Sequence, residues 1–170
     1  MSEPDPPAKV SRAETATEVE FAAFYRTTVK PLAAFLILQG ATVADAADIA
    51  QESMIKAHSA WDRIDHPRAW VFRVASRAWV RRMLNRRENP VAELPEPNPL
   101  LRPTDVEGWE QRHAIVHALA ALPPRQRQIM AWTLSGYSPA EIAAELDLPP
   151  GTVRQNLLLA RRALARWLTQ

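Results

Sequence analysis

A proline-rich segment near the middle of the chain most constrains the fold, because it divides the sequence into two parts. Its prolines are Pro90, Pro95, Pro97, Pro99 and Pro103. Each removes a backbone donor and disfavours a helical conformation in the residue before it. Six acidic residues against Arg102 alone lie between residues 88 and 110. Such a segment buries too little apolar surface to offset its chain entropy, so we predict a flexible linker over residues 88–107.

Both parts that flank the linker are predicted to be helical. Apolar residues recur at three- and four-residue spacing, no stretch shows sustained two-residue alternation, and glycine occurs only 4 times in 170 residues. We therefore predict an all-α fold of two small domains: a three-helix unit over residues 18–87 and a four-helix unit over residues 108–170. Residues 1–17 are predicted to form a disordered tail. The predicted helices cover residues 19–39, 43–59, 67–87, 108–121, 125–134, 139–146 and 151–168.

Composition excludes several classes of protein. The chain has no cysteine, which excludes a disulfide scaffold, a cysteine-based zinc site and a thiol nucleophile. The longest clean apolar run, residues 32–38, is far shorter than the ~20 residues of a membrane span. The first ten residues do not have the pattern of a signal peptide. We therefore expect a cytoplasmic protein with no membrane span.

The net charge of +2 conceals a basic block. Between residues 63 and 87 eight arginines face one acid, Asp65. Three of them, Arg73, Arg77 and Arg81, recur at four-residue spacing and therefore line one side of a helix. Trp61 and Trp70 lie nearby in the sequence, and a basic groove with aromatic rings suits single-stranded DNA. The alternative is a solvated basic face with both tryptophans in the core.

The second predicted helix is acidic on one face. Its apolar stripe consists of Val43, Ala46, Ala47, Ala50, Met54 and Ala57. The opposite face carries Asp45, Asp48, Glu52 and Lys56, with Gln51 at its side. A protein-docking face is the favoured interpretation. A divalent-cation site for nuclease chemistry and plain solvated charge are the alternatives.

Residues 138–168 have the sequence pattern of a helix-turn-helix. Ser138, Pro139 and Glu141 supply an N-cap hydroxyl, a proline at the first helical position and a capping-box glutamate. The break at residues 147–150 precedes a second helix. That helix has an outward face suited to the major groove of DNA; its members are Arg154, Gln155, Leu158, Arg161, Arg162 and Arg166. The alternative is an ordinary amphipathic helix in which Leu158 and Leu159 pack on a neighbouring element.

No enzymatic site is identified in the sequence. His113 and His117 have the spacing of a zinc pair, but no further ligands are evident. There is no glycine-rich phosphate loop and no recognisable nucleophile–base pair. We therefore predict no catalytic residues, no metal and no cofactor.

Three ordered segments resemble the extracytoplasmic-function (group 4) sigma factors of bacterial RNA polymerase. Residues 45–52, with the sequence Asp45-Ala46-Ala47-Asp48-Ile49-Ala50-Gln51-Glu52, are similar to the region 2.2 signature of that family. Residues 68–75 are similar to the start of its promoter-melting helix. Residues 118–127, 138–143 and 151–154 are similar to region 4. The resemblance covers residues 21–168, although the linker matches in position and character only.

The resemblance implies a role for each surface. Region 2.2 would bind the coiled coil of the polymerase β′ subunit, and the region 4 helices would bind the β flap. The implied core-binding residues are Asp48, Gln51 and Glu52. The residues implied to capture and melt the −10 element are Trp61, Arg63, His66, Trp70, Arg73, Arg77 and Arg81. Those implied to read the −35 element are Thr152, Arg154, Gln155, Leu158, Arg161 and Arg162.

The expected function is therefore that of a sigma factor, which joins core polymerase, recognises promoter DNA and promotes initiation. An anti-sigma factor is a possible further partner. Gln155, Asn156 and Leu159 depart from the usual family residues, so the promoter sequence cannot be copied from relatives. The rival hypotheses are a helix-turn-helix regulator that acts without polymerase and, more remotely, a metal-dependent nuclease that uses Asp45, Asp48 and Glu52. The charge pattern also suggests that basic and acidic segments hold the free protein closed.

Overall fold

The computed structural model describes residues 12–88 and 114–169, and within those ranges it is helical apart from short connections and contains no strand. The predicted all-α class is confirmed. The predicted linker, from residue 89 onward, and residues 1–11 of the predicted tail lie outside the described residues, as does His113. The elements are α1 (Arg12–Leu38), α2 (Val43–Ser59), a 3-10 turn (Trp61–Arg63), α3 (Pro67–Glu88), α4 (described over 114–120), α5 (Pro124–Leu134), α6 (Pro139–Leu146) and α7 (Pro150–Leu168).

Helices α1, α2 and α3 form the first unit, in which every pair is in contact. The α2 boundaries are as predicted, and Thr42 caps the helix by accepting a hydrogen bond from the Asp45 amide at 3.1 Å. Helix α1 begins at Arg12, seven residues earlier than predicted, so residues 12–17 are helical and not part of a disordered tail. A proline-rich stretch of sequence ends before residue 12, which leaves nothing in residues 12–17 that opposes a helix.

Helices α4 to α7 form the second unit, and its helix-turn-helix is the pair α6 and α7. The predicted capping box is present: the Ser138 hydroxyl accepts from the Glu141 amide, and the Glu141 carboxylate accepts from the Ser138 amide at 2.7 Å. Helix α6 ends at Leu146, and the capping residue Asp147 has a left-handed φ of 53°, which reverses the chain toward α7. Val153, Leu157 and Ala160 point inward from α7 and are buried, as predicted.

The two units share one hydrophobic core, which the sequence did not predict. Helix α1 contacts α5, and α3 contacts α6. At the junction Trp132 from the second unit lies edge-on to Phe35, at 5.2 Å between ring centroids, and 6.3 Å from Phe72. All three rings are buried. The units are thus in direct contact in addition to being joined by the chain between them.

Residues Ala16–Leu38 of α1 are long and apolar enough to cross a membrane, judged by length and composition. A core helix of a soluble protein passes the same test. Here Leu32, Phe35 and Leu36 are buried against the other helices. These three residues lie in the core, and 22% of the most apolar window of the segment is buried.

Candidate protein and nucleic-acid interfaces

Helix α2 exposes the predicted protein-docking residues. Asp48, Gln51 and Glu52, which we call the acidic face, are all exposed. Gln51 donates a hydrogen bond from Nε2 to the Tyr25 hydroxyl on α1 at 2.7 Å, which fixes one side of this face. Ile55, one turn further on, is 65% exposed. An apolar side chain beside two carboxylates is suited to a partner surface with both basic and apolar groups.

Asp45 does not belong to this face, which corrects the sequence-based expectation. Its carboxylate is buried and accepts hydrogen bonds from Arg82 at 2.8 Å and from Arg86 at 2.7 Å. The Thr42 hydroxyl donates to the same carboxylate. Helical spacing placed Asp45 near Asp48, but α3 packs over that side of α2 and covers it. Val43, predicted to face inward, is instead 36% exposed.

The environment of Asp45 has opposing effects on its ionisation. Burial disfavours the charged carboxylate, but the hydrogen bonds from Arg86 and Thr42 and the charges of Arg86 and Arg82 outweigh it. The net effect lowers the pKa of Asp45 below its ordinary value of 3.8. Asp45 is therefore ionised and ties α2 to α3. Its oxygens are already engaged, so the three carboxylates of the nuclease hypothesis do not come together. No cluster of metal-binding side chains occurs among residues 12–88 and 114–169.

The connection between α2 and α3 is anchored by apolar side chains. Trp61 is half-buried, with its ring 5.1 Å from Phe21 and 5.0 Å from Phe24. Ile64 packs against the core. Arg63 lies between these anchors and His66 lies two residues after Ile64; both side chains are exposed. The connection is therefore a loop held in place by two apolar side chains, and its polar side chains are exposed to solvent.

The basic side of α3 is only partly open. Arg77 and Arg81 are exposed, as predicted. Trp70 is half-buried and packs against the core. Its ring is therefore neither fully exposed for stacking on DNA bases nor fully enclosed in the core. Arg73 is bound in an ion pair with Glu145 of α6, with 3.1 Å between its Nη1 and the carboxylate oxygen. A predicted DNA-binding arginine is thus occupied by the second unit.

Arg68, one turn before Phe72, was not singled out as a site residue in the sequence, yet it contacts residues of both units. Its guanidinium lies over the Phe72 ring at 4.5 Å and donates to the Tyr137 hydroxyl at 3.2 Å and to the Ser135 carbonyl. Burial raises the pKa of Tyr137, although the Arg68 charge opposes this effect. Tyr137 is therefore a neutral phenol. Its ring stacks against the Arg68 guanidinium, and its hydroxyl accepts a hydrogen bond from the same group. The spacing of apolar residues along the sequence does not indicate this contact, because Arg68 and its partners Ser135 and Tyr137 belong to different units.

A series of side-chain hydrogen bonds extends the contact between the two units. Gln128 of α5 donates to the Ser76 hydroxyl at 3.1 Å, and Ser76 donates to the Gln39 side chain at 2.9 Å. Gly40, with a φ of 100°, ends α1 where a side chain would collide with the Arg127 guanidinium of the second unit. The end of α1 and the Arg127 side chain of the second unit are therefore packed closely together.

The outward face of α7 is fully available. Arg154, Gln155, Arg161 and Arg162 are exposed and Leu158 is 50% exposed. Thr152 is half-buried, and its carbonyl accepts from Asn156 at 2.8 Å. Leu159 is also 42% exposed, so neither leucine is fully packed against a neighbouring element. A row of arginines with one apolar side chain on a helix of this kind has the chemistry of major-groove recognition.

The fold and these surfaces together define a helical transcription protein with a helix-turn-helix, and comparison with known proteins specifies the family. The family model "Sigma-70 region 2" matches residues 19–88, and "Sigma-70, region 4" matches residues 112–164. The ECF RNA polymerase sigma factor SigM of Mycobacterium tuberculosis is 32% identical over 135 residues, which cover 77% of this chain and 68% of SigM. The same match is found in a second strain of that organism. This chain belongs to the extracytoplasmic-function sigma factors of RNA polymerase, which act in transcription initiation.

Two solved structures share the fold. The sigma factor RpoE of Bartonella quintana, solved with the anti-sigma factor NepR, has a TM-score of 0.67 and 23% identity, with coverage of 88% of this chain and 97% of that chain. CnrH, solved with the cytosolic domain of CnrY, has a TM-score of 0.64 and 22% identity, with coverage of 92% and 94% respectively. Both similarities extend over nearly the whole chain, so the shared fold includes both units.

Proposed function

We propose that this sigma factor binds core RNA polymerase through the acidic face of α2 and promoter DNA through α3 and α7, without catalysing a reaction itself and within the cytoplasm. The observation that carries the proposal is the separation of charge on one chain. The acidic face is exposed on α2, whereas arginines are exposed on α3 and on the outward face of α7. A protein that recognises promoter DNA and a second protein at once needs such separate surfaces.

The acidic face is the proposed core-docking site. The implied partner is the coiled coil of the polymerase β′ subunit. Support comes from the exposed carboxylates of Asp48 and Glu52, the fixed amide of Gln51 and the exposed apolar side chain of Ile55. The second unit would bind the β flap.

The first unit is proposed to bind the −10 element and the second unit the −35 element. The proposed −10 residues lie on α3 and the preceding loop, and four of them, Arg63, His66, Arg77 and Arg81, are exposed. The others are Trp61, Trp70 and Arg73. On α7 the exposed arginines would contact phosphates and guanine edges, Gln155 would contact adenine, and Leu158 would contact a thymine methyl group. Base contacts on α7 set the −35 preference, whereas phosphate contacts set the salt dependence.

An anti-sigma factor is a further proposed partner. A groove between the units is lined by apolar groups of Trp79, Met83 and Leu84 on α3 and by Pro124 and Arg125 on α5. Leu84 is 52% exposed, and Arg87 also lines the groove. The apolar lining and two arginines suit an amphipathic segment that carries acidic groups. Of the two similar structures, that of the sigma factor RpoE contains the anti-sigma factor NepR, and that of CnrH contains the cytosolic domain of CnrY.

Transcription in vitro with purified core polymerase on a pool of genomic fragments tests the function. We expect new transcript starts that core enzyme alone does not produce. Asp48→Ala combined with Glu52→Ala should weaken core binding in native gels about tenfold or more, since it removes charged contacts at the centre of the docking face. DNA binding by the same variant should be unchanged.

Glu18→Ala with Glu20→Ala is the matched control, because both residues are exposed acids on α1 and the change in charge is the same. This control should bind core polymerase as the wild type does. An absence of new starts with the wild type would refute the sigma function. Equal loss of core binding in both double variants would refute the assignment of the docking face.

A further inference from the structure

The loop between α2 and α3 exposes side chains that can distinguish one base from another. The exposed side chains of residues 60–66 are those of Asp62, Arg63, Asp65 and His66. The two carboxylates accept hydrogen bonds, and the arginine donates them. An unpaired base presents both donors and acceptors on its Watson–Crick edge, so a loop with both kinds of group can select among bases. Selection requires that these groups be held in place, because a hydrogen bond weakens steeply when its angle is wrong.

An aromatic cluster holds the beginning of this loop. Trp61 opens the 3-10 turn, and its ring centroid lies 5.1 Å from that of Phe21 and 5.0 Å from that of Phe24. Phe21 and Phe24 lie on α1, with 6.3 Å between their own ring centroids. The ring of His58, near the end of α2, lies edge-on to Phe21 at 4.7 Å. Side chains of α1, α2 and the 3-10 turn therefore meet at the ring of Phe21.

Backbone hydrogen bonds connect the position of Trp61 to the rest of the loop. The Ile64 amide donates to the Trp61 carbonyl at 3.2 Å, and the Arg63 amide donates to the Ala60 carbonyl at 2.9 Å. Ile64 packs against the core and so holds the far end of the turn. Because the turn is closed by these bonds, a displacement of the Trp61 ring displaces the side chains of Asp62 and Arg63 as well.

The Trp61 ring is itself engaged within the protein. It is half-buried, and its contacts with Phe21 and Phe24 occupy part of the surface that stacking on a base would need. Arg63 and His66, by contrast, are exposed. The loop thus separates a side chain that supports it from side chains that are available to DNA.

We infer that Phe21, Phe24 and Trp61 are positioning residues for −10 recognition: they hold the loop in the geometry in which its polar side chains select a base, and the Trp61 ring does not itself stack on DNA. This inference rests on the proposed −10 role of the loop. Stacking tolerates any base, so loss of a stacking ring weakens all −10 sequences alike. Loss of a positioning ring instead reduces the preference for one base, because displaced polar groups no longer pair with the correct base edge.

Transcription from a promoter library measures that preference. Holoenzyme is formed from core polymerase and the full chain, and a promoter found by the genomic transcription assay is randomised over its −10 segment. Sequencing of templates and transcripts gives the enrichment of each base. Phe21→Leu and Trp61→Ala should each reduce the preference for the best base at one or more positions by about fivefold or more, which corresponds to the loss of one base contact. Trp61→Phe keeps an aromatic ring in the cluster and should retain most of the preference.

Ile49→Val separates positioning from a general loss of stability. Ile49 is 2% exposed in the same unit and lies about 15 Å along α2 from Ser59. This variant should unfold at a lower urea concentration than the wild type and yet keep the wild-type base preference. Phe21→Leu combined with Trp61→Ala should reduce the preference no further than Trp61→Ala alone, because both substitutions act through one contact.

Three results would overturn the inference. Phe21→Leu could keep the full base preference, Trp61→Ala could lower transcription from every −10 sequence by the same factor, or Ile49→Val could lose as much preference as Phe21→Leu. Failure of the proposed function has a different signature, which appears in the wild type. Wild-type holoenzyme that produces no new starts would refute the sigma function, and wild-type initiation without any base preference in the −10 segment would refute the −10 role of the loop.

Discussion

At the scale of single residues, the same chemical group has different roles according to what covers it. Asp45 and Asp48 are one helical turn apart on α2, yet Asp45 is buried under two arginines of α3 and Asp48 is exposed. The first holds helices together, and the second is available to a partner. The ion pairs of Asp45 are partly buried, and each arginine remains about a third or more exposed, with side-chain values of 34% for Arg82 and 41% for Arg86.

Replacement of Asp45 tests its structural role. Asp45→Asn should lower the free energy of unfolding by about 1–2 kcal/mol at pH 7, because two charged donors lose their ionised acceptor and solvent screens part of the loss. Urea denaturation measures it. Asp48→Asn, at an exposed position, should change the same quantity by less than about 0.5 kcal/mol.

The pH dependence of this difference follows from the lowered pKa of Asp45. A carboxyl whose pKa is lower in the folded state stabilises the fold above its unfolded pKa, which is 3.8 here, and this contribution is lost as pH falls through the folded pKa. The stability gap between wild type and Asp45→Asn should therefore be constant above about pH 5 and narrow below pH 4. A gap that is unchanged down to pH 2 would contradict this role.

At the scale of elements, α6 is short and depends on its first turn. It has eight residues, of which Ile142 and Ala143 are buried. So short a helix is not stable in isolation, and its N-cap supplies a hydrogen bond that tertiary packing does not replace. Because α6 also carries Glu145 and precedes the turn into α7, its start fixes both the contact with α3 and the position of the recognition helix.

Ser138→Ala should therefore lower the free energy of unfolding by about 1 kcal/mol, through loss of the bond to the Glu141 amide. Thermal or urea denaturation of the full chain provides the measurement. Ser59→Ala is a suitable control, since that exposed hydroxyl donates only to the Ile55 carbonyl within α2. Equal effects of the two substitutions would show that the capping box adds nothing to this fold.

At the scale of the whole molecule, the contact between units is mainly apolar at its centre. The sequence suggested that opposite charges hold the protein closed. The acidic segment of that hypothesis lies outside the described residues. Within the described residues the units meet at three aromatic rings, and Arg73 and Glu145 form an ion pair between the units. An apolar contact is not weakened by salt as an exposed ion pair is.

Trp132→Ala should accordingly be much more harmful than Trp167→Ala. Trp132 is 0% exposed and contacts rings in both units, so its loss should cost about 3 kcal/mol or more of unfolding free energy. Trp167 is 41% exposed, and its loss should cost far less. Denaturation of the full chain, followed by circular dichroism, compares the two. Similar losses would mean that the junction contributes little to stability.

The local features of this protein are determined by its sequence. Helix periodicity, the capping box at Ser138 and the break before α7 depend on neighbours in the chain, and each was found where it was predicted. The same periodicity predicts the exposed face of α7 and, apart from Asp45, that of α2. These features arise from backbone preferences and from side chains within about one helical turn of each other, so no knowledge of packing is required.

Tertiary structure alone decided which charged residues are free. Asp45 is buried because α3 covers it, and Arg73 is occupied because α6 reaches it, over separations of 37 to 72 residues in the chain. The packing of Trp132 against Phe35 and Phe72 is of the same kind. Periodicity assigns a residue to a face of its helix, but it does not state which other helix packs there. That choice depends on the combined burial and pairing of residues from distant segments, which no local pattern encodes.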